Sequence, residues 1–237
     1  MDALNLHSGG ELVSLAELET YRPPPATASH NPVPYFELVR MVKYALGYYE
    51  HEVIAEQHAI DKDGGRYFGT MQLRSPYGDY TDLCGLRSSY DKTFPVGISV
   101  GAAVFVCSNL SFYGDFTVRR KNTANVLRDL PGLIADIIQP LHERRQAQSL
   151  TFQTYKARPM HEPEVYDAIM RMYRQGAINA QRIPHVLDAF DSPPFDWGDR
   201  SAWRLFNAAT YALRGKVAED PSLTRVVHEV IDGYCTA

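Results

Sequence analysis

The chain has 237 residues, enough for one large domain or two small ones, and its 45% hydrophobic and 22% charged content excludes wholesale disorder. A formal charge of −4 excludes a generally basic protein, so any contact with a polyanion needs a local patch. No apolar run approaches the roughly 20 residues of a membrane span.

Residues 1–30 are polar and carry Pro23, Pro24 and Pro25, which reads as an N-terminal arm, flexible or docked on the body or on a partner. The first residues lack a basic stretch followed by an apolar one, so no secretory signal is expected. Pro32 and Pro34 introduce a helix in which Tyr35, Leu38, Val39, Val42, Ala45, Leu46 and Tyr49 recur at three- and four-residue steps and share one face. Glu50–Ile60 and Arg66–Arg74 are strand-like around Asp61-Lys62-Asp63-Gly64-Gly65, the chemistry of a tight hairpin turn. From Leu83 to Lys121 the sheet continues. Val96, Ile98 and Val100 alternate with Gly97, Ser99 and Gly101, and Phe112, Gly114, Phe116 and Val118 alternate with Tyr113, Asp115, Thr117 and Arg119. Period two sends Arg119 and Lys121 to one face and Arg120 to the apolar side, with a turn expected at Ser108-Asn109.

After Thr123 the pattern is helical. Leu130, Leu133, Ile134, Ile137 and Leu141 form a stripe that Pro140 should break, and a helix opening at Pro163 should stop at Gly176. Residues 183–190, 200–213 and 223–234 are shorter helical patterns. Strands early and helices late predict an α+β fold: an antiparallel sheet over about 51–121, preceded by one helix and covered by a C-terminal helical layer. Residues 31–237 are read as a single domain, 31–123 helix plus sheet and 124–237 helical.

Candidate chemistry concentrates at the strand ends. Arg87, Lys92, Arg119, Arg120, Lys121 and Arg128, interleaved with Tyr90, Phe112 and Tyr113, form a basic-aromatic set. Cations neutralise phosphates, aromatic rings stack on unpaired bases, and Asn122 and Thr123 add neutral donors. The competing reading is a solvated sheet edge whose charges discourage strand-to-strand aggregation. The turn Ser88–Thr93 suits either a phosphate or a self-satisfied loop.

Other chemistries are thin. Asp79, Asp82, Asp91 and Asp115 do not form a restriction-type nuclease arrangement. His51 and His58 are expected on opposite faces, and His142, His161, His185 and His228 at helix ends or loops. Cys84, Cys107 and Cys235 make neither a disulfide framework nor a metal-ligand spacing, which fits a reducing cytoplasm. No nucleophile elbow or phosphate-cradling loop is present. No cofactor and no metal are expected. Trp203, Phe206, Asn207 and Thr210 read as scaffold, with Asn207 holding a loop or strand end.

Four stretches resemble a phage- and plasmid-borne family, domain of unknown function 932, also uncharacterised family 0380. They are residues 85–94, 104–112, 119–123 and 203–210, with Asn122 where such proteins usually carry His. The resemblance implies a mobile-element origin, beside antirestriction or DNA-metabolism genes, and no agreed activity. The order of elements is also similar, in topology only, to single-strand annealing proteins, which assemble as rings. The combined expectation is a non-enzymatic nucleic-acid-binding accessory protein in the host cytoplasm, acting in recombination, replication or maintenance, and a possible homo-oligomer. Its contacts would come from Arg87, Tyr90, Lys92, Tyr113, Arg119, Arg120, Lys121 and Asn122. The alternatives are a protein-binding antagonist of a host defence system, of anti-restriction or anti-CRISPR type, and a cryptic metal-dependent nuclease.

Overall fold

The computed structural model describes residues 10–75, 80–104, 109–213, 216, 220 and 222–236, with the backbone alone at 80–81, 102–104 and 109–117. A six-stranded antiparallel sheet runs in plain chain order: β1 (Glu11–Val13), β2 (Val53–Ile60), β3 (Arg66–Leu73), β4 (Tyr80–Ser89), β5 (Val96–Val104) and β6 (Asn109–Arg120). The fold is α+β. Residues 10–30, read from the sequence as an arm, supply the edge strand β1, which pairs Leu12 with Ala59. They also supply the short helix α1 (Leu15–Leu18), closed by a Ser14–Glu17 capping box.

Helix α2 (Tyr35–Tyr48) follows from its apolar spacing: Tyr35, Leu38, Val39, Val42, Ala45 and Leu46 are its buried residues. Burying each of the larger ones stabilises by roughly 1.5–3 kcal/mol before entropy is counted. The helix stops in a Schellman motif, with the Glu50 N–H donating to Gly47 O and the His51 N–H to Leu46 O. Glu50 occupies the left-handed position at φ 61°, where glycine is usual. Gly64, at φ 70°, makes the β2–β3 turn.

Alternation along the strands points Tyr67, Met71, Cys84, Leu86, Val96, Ile98, Val100 and Val118 into one cluster with α1, α2 and α3 (Val126–Ile138). Gly69 faces the same way, and its missing Cβ leaves room for the Tyr67 hydroxyl to meet His58 Nδ1 at 2.9 Å. Pro140 breaks the helical stripe, and α4 (Leu141–Ala157) begins after it. Leu141 belongs to the first cluster, whereas Phe152 and Tyr155, further along the same helix, belong to a second. That second cluster gathers α5 (Glu162–Arg174), α6 (Ile183–Asp191), α7 (Ala202–Ala212), α8 (Ser222–Cys235) and Leu83, one step off the Cys84–Leu86 face. Gly176, at φ 80°, ends α5 in a second Schellman motif.

Two details depart from the sequence reading. The β5–β6 register shifts between Ser99, opposite Thr117, and Gly101, opposite Phe112, so period two does not carry from Arg119 back to Tyr113. His228 lies inside α8 and is buried, not at a helix end. Asn207 donates to Trp203 O of its own helix. The expected turn at Ser108-Asn109 has Ser108 outside the described residues.

Candidate anion-binding hollow at the strand ends

The β2–β3 turn, the β4–β5 turn and the exit of β6 all lie at one end of the sheet, because consecutive antiparallel strands return the chain there. The β4–β5 turn is held from within. Ser89 Oγ donates to Phe94 O at 2.7 Å and accepts the Phe94 N–H at 3.1 Å. Asp91 accepts from the Thr93 N–H at 2.9 Å and from Arg66 Nε at 2.8 Å. Burial pushes the Asp91 carboxyl up, but Thr93 and Arg66 outweigh it and hold it at about 2. Lys92, at φ 66°, sits at the crest in a backbone region that side chains rarely adopt.

The exit of β6 is held by Arg120, whose guanidinium pairs with Asp129 of α3 at 2.8 Å. Its Nη1 also donates to Lys121 O at 3.0 Å and Thr123 Oγ1 at 3.1 Å. Arg120 therefore shapes the segment that follows it, which differs from the phosphate contact expected of it. Asn122 is 6% exposed; its Nδ2 donates to Ser89 O at 3.2 Å, and its carbonyl accepts the Asn31 N–H at 2.8 Å. These bonds tie the two strand ends to residues 29–31.

Between them lies a hollow of about 370 Å³, lined by Ser29, His30, Lys92 to Pro95 and Lys121 to Thr123. Lys92 and Lys121 are both exposed, and neither forms an ion pair among the described residues. Two buried polar atoms of the lining, His30 Nε2 and Asn122 Oδ1, have no hydrogen-bond partner among the described residues. The charge arithmetic of the wall is simple: it carries two ammonium groups and no carboxylate.

The other expected residues are placed differently. Tyr90 stacks on Tyr35, ring centroids 3.8 Å apart and planes 7° off parallel. The backbone N–H of each donates to the hydroxyl of the other at 3.2 Å, and the Tyr90 hydroxyl donates to Tyr21 O. Burial pushes Tyr90 up to about 12. The ring is engaged in capping α2, whose first N–H groups have no helical partner, and differs in this from the base-stacking platform expected. Arg87 lies over the Phe94 ring at 5.3 Å, in space that a Cβ on Gly97 would invade. Burial, then the nearby Arg119, lowers its pKa. Arg119 is half exposed and 3.7 Å from Asp220, a loose pair. Arg128 pairs with Asp129 at 3.1 Å. The side chain of Tyr113, with those of Phe112 and Asp115, lies outside the described part, as do Asp79 and Cys107.

Among the described residues, no group of three His, Cys, Asp or Glu side chains is placed to hold a metal ion. Cys84 is buried in the core, which pushes its thiol up to about 12. No helix among the described residues is long and apolar enough to cross a membrane. Sequence reasoning missed Ser29 and His30 as lining residues. His30 and Asn122 are far apart in the chain, and no local spacing links them. No family model matches this chain, and no curated protein or solved structure matches it either.

Proposed function

We propose that the protein is a non-enzymatic nucleic-acid-binding accessory protein that grips a phosphate backbone at the strand-end hollow. The observation that carries this is the convergence of Lys92 and Lys121, two cations from different strand ends without a carboxylate partner among the described residues, on one depression. Arg119, loosely paired and half exposed, is a further cation near the end of β6. The backbone at Lys92 favours the same reading. A lysine in the left-handed region costs of order 1 kcal/mol, and such strain gathers at functional sites. The sequence resemblance to family 932 favours a role in a phage or plasmid, in recombination, replication or maintenance.

The test is fluorescence polarisation of labelled single-stranded DNA and RNA across a salt series. Two lysine–phosphate contacts contribute about 1.4 to the slope of log affinity against log salt for a single strand. Lys92→Met with Lys121→Met should flatten the slope by that amount. Absence of binding at low salt, or an unchanged slope in the double variant, overturns the reading. Lys92→Gly separates function from stability, since it should weaken binding while relieving backbone strain and raising the melting temperature.

A further inference from the structure

Helix α5 (Glu162–Arg174) buries Val165, Ala168, Ile169 and Met172 in the second cluster, yet it turns another apolar stripe outward. Tyr166, Met170 and Tyr173 follow one another at four- and three-residue steps and are 46%, 39% and 41% exposed. No other helix among the described residues presents three large apolar side chains to solvent. Single apolar residues on a surface are ordinary, but a seam over about 10 Å of helix is the pattern by which one helix packs on another. The Tyr166 hydroxyl donates to Glu162 at 2.5 Å, so that ring is already ordered and loses little freedom in a contact.

Charge along the helix selects the partner. Glu162, Glu164 and Asp167 stand in its first half, Arg171 and Arg174 in its last. The order suits the helix's own dipole, and beside an apolar seam it does more. Such a helix repels a parallel copy of itself and attracts an antiparallel one. Arg171 is committed to its own chain: it pairs with Asp167 at 2.9 Å and lies over the Tyr234 ring. Arg174 is exposed and forms no ion pair among the described residues. Asp167 accepts from Arg171 and from the Tyr234 hydroxyl, and a carboxylate has lone pairs for a further donor.

We infer that two copies of the chain pair through α5, antiparallel about a two-fold axis at Met170. The axis sets Met170 against its counterpart and Asp167 of each copy beside Tyr173 and Arg174 of the other, so both ion pairs form at once. The contact is one helix on each side and belongs with weak, transient dimers. It is independent of what the strand-end hollow binds.

The test is sedimentation equilibrium of the full chain without nucleic acid, from low micromolar to near millimolar concentration. The mass should climb from monomer toward dimer and no further, since a two-fold contact closes on itself. Met170→Glu, which sets two carboxylates face to face at the axis, should weaken the dimer at least about tenfold. Arg174→Glu alone and Asp167→Lys alone should each weaken it about two- to thirty-fold, the worth of two exposed ion pairs. Mixing those two variants should restore the dimer, because each then supplies the charge that the other lacks. A monomer at every concentration, a larger assembly, or a dimer that Met170→Glu leaves intact overturns the inference, as does failure of the mixture to recover. Asp167 also holds Tyr234, so where Asp167→Lys does not fold, Met170→Glu against wild type decides.

Discussion

Asp82 on β4 is 1% exposed, and its carboxylate lies 2.8 Å from Arg145 Nε of α4, itself 11% exposed. Burial pushes the Asp82 carboxyl up to about 6 against the pull of Arg145. The perturbation is Arg145→Met, which keeps an apolar stem and removes the charge. Removing one partner of a buried pair leaves an uncompensated charge and costs about 3–5 kcal/mol. For a chain of this length each kcal/mol moves the melting temperature by roughly 2–4 °C, so a fall of roughly 6–20 °C is expected near neutral pH.

The sign with pH follows from the same geometry. A carboxyl raised on folding binds more protons in the folded state, so its contribution is full below the unfolded value near 3.9 and is lost as pH rises through about 6. In the wild type this amounts to about 3 kcal/mol. In Arg145→Met the folded value lies higher still, so the deficit against wild type must shrink on acidification, as the stranded carboxylate takes up a proton. Thermal melts followed by circular dichroism near pH 7.5 and pH 5 read both effects, and Asp82→Leu with Arg145→Met should recover most of the loss. A cost below about 1 kcal/mol that does not change with pH would refute the premise that the pair is desolvated.

Glu50→Gly should stabilise the protein by about 0.5–1 kcal/mol, since the left-handed position that closes α2 suits glycine; a melting temperature at or below wild type would contradict this. Burial holds His228 down at about 3, and its Nδ1 lies 3.0 Å from the Tyr155 hydroxyl, which donates to Asp232 Oδ1 at 2.6 Å. This group's stability is present above about pH 6.5 and is lost as pH falls toward 3, by ~5 kcal/mol at most. His228→Phe should therefore narrow or reverse its deficit in acid, as denaturant titrations at several pH values will show. Tyr90→Phe should lower stability by about 1–3 kcal/mol, because the Tyr35 N–H loses its acceptor, and should leave oligonucleotide affinity within experimental error in a polarisation titration.

The local grammar of the chain was legible without coordinates. Three- and four-residue apolar steps from Tyr35 to Leu46, the Gly64 turn, the break at Pro140 and the stop at Gly176 all depend on neighbours in sequence, and each appears where its chemistry placed it. So does the separation of Arg120 from Arg119, which period two dictates. Tertiary structure alone decided what those cations do. Arg120 meets Asp129 because α3 folds back over the sheet, Tyr90 is taken by a tyrosine 55 residues away, and His30 reaches the hollow because the Asn31 N–H bonds to Asn122 O. Electrostatic pairing and hydrogen-bond satisfaction are properties of distance in space. A sequence can therefore show that charge is present at a strand end, while only the folded chain determines which charges remain unspent.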